Sequence, residues 1–262
     1  MHALTVIRTY LKLGMLNVLQ YRVNFLFDIL SVTLYLTSSL VSLAVIFGQT
    51  ETLQGWTRDQ LIALVGIQIL IGGFNGLVIR PSMQQLMENI RLGTLDFMLT
   101  KPADSQLLAS VQRVEIGAIA EVIVGLAVIL IALARLGTEI GVGGALLFVL
   151  MLLAGATIVY CFLLALSTIA FWFVRVDNII VIFQAAFTEA GRWPITIYPG
   201  WLRATLTFLI PIAFAITVPA ESLTGRLTAV TVLGTLALAL AFVAGSRWFW
   251  RLGLSRYTGA SA

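Results

Sequence analysis

Six long apolar stretches take up most of this chain, and they limit what it can fold into more than any other feature. The stretches run over about Phe25–Phe47, Leu61–Ile79, Ile116–Ala134, Ala145–Val174, part of 179–218, and Thr228–Phe249. A bilayer-crossing helix needs about 20 apolar residues. Of the 262 residues, 60% are hydrophobic and 11% charged, against roughly 25% charged in a soluble domain. A chain of this length cannot bury so much apolar surface in a water-facing fold. The expectation is an all-α polytopic membrane protein with a single membrane domain over 1–262 and six transmembrane helices.

The segment 179–218 is mostly apolar but is broken by Gly191, Arg192, Pro194, Pro199, Gly200 and Pro211. Charge counting decides its path. With the N-terminus inside, eleven Lys and Arg residues fall on the cytoplasmic side, among them Arg80, Arg91, Lys101, Arg113 and Arg247. Five fall outside, namely Arg58, Arg135, Arg192, Arg203 and Arg226. That asymmetry follows the positive-inside rule and places both termini in the cytoplasm. The number of crossings is then even, so 179–218 crosses once. The expected elements are a helix over Asn178–Ala190 and a re-entrant hairpin within 191–226, near the outer leaflet. Backbone broken by proline is tolerated there only when protein or water covers it. The basic balance reflects orientation and not nucleic-acid binding.

Several chemistries are excluded. The one cysteine, Cys161, lies in an apolar run, and the one histidine is His2. A zinc site or a Ser-His-Asp triad is therefore not expected. Neither lysine, Lys12 or Lys101, follows a glycine, so no phosphate-cradling Gly-Lys-Ser/Thr loop exists. No cofactor or metal is expected in this chain. Residues 1–24 do not read as a signal peptide: Arg8, Lys12 and Arg22 interrupt the apolar run, and no small-residue cleavage site follows. They suit an amphipathic helix lying in the interface, or an extension of the first span.

Between the second and third spans lies the polar segment 80–115. Arg80-Pro81 is expected to end the second span. Met83, Leu86, Met87 and Ile90 then recur at helical spacing, with Gln84, Gln85, Glu88, Asn89 and Arg91 on the other face. Gly93 suits the left-handed position after a helix. Pro102 stops an extended TLDFMLTK run, and Asp104 or Ser105 can cap the helix entering the third span. Such a helix either receives a partner or only anchors its loop.

The order Glu88, Arg91, Gly93-Thr94-Leu95, Leu99, Thr100, Pro102 resembles the signature of permease subunits of type-2 ABC exporters. TLDFMLTKP and the terminal WRLGLSRYTGASA are similar to a bacterial branch of small six-span permeases. Asn89 departs from the family, which more usually has arginine after the glutamate. The resemblance implies a dimer, with a second copy or a paralogue, and separate ATPase subunits that bind ATP and Mg. It also implies that Gln85, Glu88, Arg91, Gly93, Thr94, Leu95, Asp96 and Pro102 belong to an ATPase-coupling element. The expected location is a bacterial cytoplasmic membrane, and the substrate a small amphipathic, apolar or lipid-like molecule moved outward.

Charges within spans are costly, so Asp28, Glu121 and Glu189 stand out. Asp28 lies close enough to the interface to be solvated. Glu121 could line a pathway. Glu189 and Arg192, three apart, can pair on one helical face. A proton- or ion-coupled transporter using Glu121 and Glu189, or a non-transporting scaffold, are the alternative readings.

Overall fold

The computed structural model describes residues 22–136, 141–173 and 177–257. The expected N-terminal interfacial helix falls outside these residues, apart from its last few. The described residues are helical, with no strand among them. Five helices are long and apolar enough to cross a membrane: Phe25–Phe47, Arg58–Arg91, Ile116–Leu136, Val142–Phe171 and Ala229–Leu254. Gly200–Leu209 and Ala213–Leu223 form a pair bent by 81°, which makes six if taken as one span. Their position and bend match the expected broken hairpin.

We number the principal helices α1 (Arg22–Phe47), α2 (Arg58–Phe74), α3 (Arg80–Arg91), α4 (Asp96–Leu99), α5 (Ser105–Val111), α6 (Ile119–Leu136), α7 (Val142–Thr168), α8 (Asp177–Ala190), α9 (Gly200–Ala204), α10 (Val218–Leu223) and α11 (Ala229–Leu254). The core sits on α2. Its apolar window is 72% buried, against 17% for α1 and for α11, so α2 is central and the other two are peripheral. The closest packing is α2 on α6, and glycines set it. A Cβ at Gly66 would lie 2.9 Å from Ile129, and one at Gly125 would lie 2.5 Å from the Leu70 backbone nitrogen. Small residues let helix backbones approach in a bilayer, where association relies on packing and interhelical hydrogen bonds.

The two limbs of the hairpin differ. Ala213, Ala215, Ile216, Val218 and Ala220 are buried, while Trp201, Phe208 and Leu209 are 72%, 74% and 67% exposed. The buried limb lies against Gly155 of α7, where any side chain would strike the Phe214 carbonyl.

Two expectations need correction. Arg80-Pro81 does not end the second span, because a π-helical turn over Asn75–Ile79 joins α2 to α3 in one helical run, Arg58–Arg91. Pro81 has no N–H to offer the carbonyl four residues back. That carbonyl, on Leu77, instead accepts the Glu115 backbone N–H at 2.8 Å. Satisfied from outside, the helix continues. Second, the TLDFMLTK run is not extended: Asp96–Leu99 is a helical turn that buries Leu95 and Met98 on one side. As expected, Asp104 caps α5, the helix leading into the third span, accepting the Leu107 N–H at 3.0 Å. The third span begins afterwards, at the 3₁₀ turn Ile116–Ala118.

Helix α8 is short. At 1.5 Å per residue the 14 residues of α8 cover about 21 Å, short of the ~30 Å hydrocarbon thickness. Its last turn meets Tyr35, halfway along α1, and Gln68, midway between Arg58 and Arg80. Just beyond that turn, Arg192 lies against Tyr35, paired with Glu189.

Candidate coupling site and intramembrane polar cluster

Helix α3 is amphipathic in fact as in sequence. Met83, Leu86 and Met87 are buried, and Gln84 and Arg91 are exposed. Its end is fixed by Gly93, whose φ of 71° is the left-handed conformation that glycine adopts without steric cost. The Gly93 N–H donates to the Ile90 carbonyl (3.3 Å) and the Thr94 N–H to the Asn89 carbonyl (2.9 Å). These bonds satisfy carbonyls that a helix end leaves open.

Asn89 is the hub of this element. Its side-chain oxygen accepts from Gln85 Nε2 at 3.1 Å and from Thr94 Oγ1 at 3.3 Å. Its Nδ2 donates to Gln112 Oε1 at 3.0 Å, and Gln112 Nε2 donates to the Ser82 carbonyl at 3.0 Å. Ser82 Oγ then joins the Arg113 backbone, donating to its carbonyl and accepting its N–H. An amide both donates and accepts, which an arginine at this position could not do. Gln85 and Thr94 thus turn partly inward, and Leu95 is fully buried. Glu88 and Arg91 stay at the surface, paired at 2.5 Å with side chains 39% and 45% exposed. Leu92, Phe97 and Pro102 are exposed beside them, and Asp96 is half-buried. A recess of about 280 Å³ opens there, bounded by Asn89, Thr94, Phe97 and Lys101.

The sequence reading missed a clasp between this element and the last span. Arg247 on α11 grips Asp104 through two nitrogens, at 3.0 and 2.5 Å, and donates to Gln106 Oε1 at 2.9 Å. Trp250 Nε1 donates to Ser105 Oγ at 3.2 Å, and Ser110 meets the Tyr160 hydroxyl of α7 at 2.8 Å. Hydrogen bonding from Arg247 holds the Asp104 carboxyl below its ordinary range. The only local signal was an arginine late in an apolar helix; its partner lies far away in sequence.

A second polar group forms within the apolar helices. The Tyr35 hydroxyl donates to Gln68 Oε1 at 2.7 Å, and Gln68 Nε2 donates to the Thr188 carbonyl at 3.1 Å. Arg192 Nε donates to the Tyr35 hydroxyl at 3.0 Å, its guanidinium lies 4.4 Å over the Tyr35 ring, and Glu189 pairs with it at 3.7 Å. Asn75 Nδ2 donates to Gln184 Oε1 at 3.4 Å. Glu121 is not part of this chain of bonds. It faces a half-open cavity of about 270 Å³ lined by α1, α2, α6 and α8. The sequence reading named Glu121, Glu189 and Arg192 but passed over Tyr35, Gln68, Asn75 and Gln184. Isolated amides in apolar runs were the available signal, because polar side chains hydrogen-bond across helices in membranes.

A sequence model of ABC-2 family transporter proteins matches residues 33–261, which takes in both polar elements and every described span apart from the start of the first. The chain belongs to that family. No curated protein and no solved structure matches it.

As an ABC-2 transporter membrane protein, the chain is expected to work with a partner ATPase. The described residues group no three His, Cys, Asp or Glu side chains that could hold a metal ion. The two polar elements offer ion pairing, hydrogen bonding and apolar contact.

Proposed function

We propose that this chain is the permease half of a dimeric ATP-driven exporter, with hydrolysis carried by separate ATPase chains that bind ATP and Mg. The 80–115 element lies at the cytoplasmic face, both termini are cytoplasmic, and the membrane is a bacterial cytoplasmic membrane. The surface around Glu88, Arg91, Leu92 and Phe97 receives the ATPase, and the cargo is amphipathic or apolar. One observation carries this reading. The exposed Glu88–Arg91 pair stands on a helix that runs unbroken into the most buried span, Arg58–Arg91. A push on that surface reaches the core with no loop in between.

The test exchanges the two charges, Glu88→Arg with Arg91→Glu. Net charge and the buried face of Met83, Leu86 and Met87 are unchanged. Contacts to charged groups contribute roughly 1.5–3 kcal/mol each, so the double variant should bind the cognate ATPase about tenfold more weakly and lose export. Membrane insertion and dimer formation should stay normal. Pull-down from detergent and an efflux assay measure both. Full ATPase binding and full export by the variant would leave this helix as an anchor only.

A further inference from the structure

The cavity beside Glu121 is a built chamber at the meeting of four helices. Ser31, Val32 and Tyr35 come from α1, Gln68, Ile69 and Gly72 from α2, Glu121 from α6, and Gln184, Phe187 and Thr188 from α8. Its volume of about 270 Å³ falls just below the ~300–1,000 Å³ range of small-molecule sites. It suits a compact group more than a whole lipid. Next to it, sharing Gln184 and Thr188, lies a larger opening of about 620 Å³ that reaches Arg80 and Glu115. A guest held in the chamber can extend into that opening.

The polar groups of the wall are mostly occupied with one another. Tyr35 and Gln68 are bonded together and to the Thr188 carbonyl. Gln184 accepts from Asn75. The nearby cations are also engaged. Arg192 is held by Glu189 and Tyr35, and Arg80 pairs with Glu115 at 3.7 Å. Glu121 differs, with no hydrogen bond or ion pair to a described residue. The other acid near it, Asp28, lies against Gly117, one turn earlier on the same stretch. The wall thus offers an unmatched carboxyl group, the Tyr35 ring, one face of which already carries the Arg192 guanidinium, the buried Phe187 ring, and apolar Val32 and Ile69. A carboxylate next to aromatic faces favours an organic cation, because ring faces and carboxylate both attract positive charge. An anion would meet Glu121 with no free cation on the wall. A bare metal ion would find too few oxygen ligands, since hard cations take six or more.

We infer that this chamber binds the positively charged nitrogen group of an amphipathic organic cation, with Glu121 as its counter-charge and Phe187 and Tyr35 against its apolar part. As a cargo site, the chamber rests on the exporter reading; as a binding site, it does not.

The probe is benzyltrimethylammonium, compared with its uncharged carbon analogue neopentylbenzene and with the anion phenylacetate. The full-length chain is placed in nanodiscs of phosphatidylcholine, and equilibrium dialysis measures binding. Saturable binding of the cation is expected, with neither analogue competing well. Glu121→Gln should weaken it by about tenfold, the scale of one charged contact, and Glu121→Asp should retain most of it. Gly72→Val provides an independent variant that keeps the carboxyl group. A Cβ at Gly72 meets only Glu121 Oε2, at 3.7 Å, so the added side chain enters the chamber and should block the cation. Absence of saturable binding, competition by phenylacetate, or unchanged binding in Gly72→Val or Glu121→Gln would overturn the proposal. Adding the cognate ATPase separates the two readings. Cation binding without ATPase assembly would overturn the exporter reading and keep the chamber, whereas ATPase assembly without cation binding would do the reverse.

Discussion

Two places in this protein carry a glutamate and an arginine three residues apart, and they use the same pair differently. Glu88 and Arg91 meet at 2.5 Å on a surface helix, both partly exposed. Glu189 and Arg192 meet at 3.7 Å beside Tyr35 of α1, and there the arginine is 24% exposed and the glutamate 72%. The surface pair is closer but adds little to folding, because exposed ion pairs are well solvated when apart. In the second pair Arg192 is braced by the Tyr35 hydroxyl and ring as well as by Glu189. Spacing determines that two side chains can meet. The surrounding medium determines what the meeting is worth.

The largest effect should come from Arg192→Ala. It removes the donor to Tyr35 and leaves Glu189 unpaired within the apolar helices. A hydrogen bond from a charged donor is worth about 1.5–3 kcal/mol, so destabilisation of about 2 kcal/mol is expected in a thermal unfolding assay in nanodiscs. A neutral result would mean that the second pair is as weakly coupled to folding as the surface one.

The Asp104–Arg247 clasp is intermediate, since it is bidentate but its side chains are 42% and 38% exposed. Asp104→Asn should cost about 1 kcal/mol, the upper end for exposed pairs. The pH dependence has a definite sign. The folded-state pKa of Asp104 is lowered by Arg247, so the contribution is fully present above the ordinary carboxylate pKa. It fades only as pH falls through the lower folded value. Wild type and Asp104→Asn should therefore differ by a constant amount from pH 6 to 8 and converge only in acid, below about pH 4. A difference that changes across neutral pH would point to another titrating group. The smallest effect is expected for Glu88→Gln, at or below about 0.5 kcal/mol, typical of a helix-surface pair. A loss as large as that for Arg192→Ala would erase the contrast between the two pairs.

The spans were legible in the sequence because hydropathy accumulates over many residues and needs no partner. The Gly93 and Asp104 termini were legible because caps are local. Continuity through Pro81 was not, since it depends on a carbonyl at Leu77 finding the N–H of Glu115. The bracing of Arg192 was hidden for the same reason: Tyr35, and Gln68 bonded to it, are remote in the chain. Asn89 shows a further limit. A departure from the family pattern is, in the fold, the centre of a hydrogen-bonded network.

The Leu77–Glu115 bond has a mechanical consequence. A proline within a helix is ordinarily where bending is concentrated. Here the bond across the gap joins α3 to the strap that leads into α6, so the weak point is splinted. The 34 residues from Arg58 to Arg91 form a mast about 51 Å long. A mast of that length, tilted by about 5° at its foot, displaces its head by about 4 Å. Because Gly66 and Gly125 hold α6 against it, the neighbouring helix must travel with it. A small rotation at one face of the membrane thus becomes a displacement of two spans at the other.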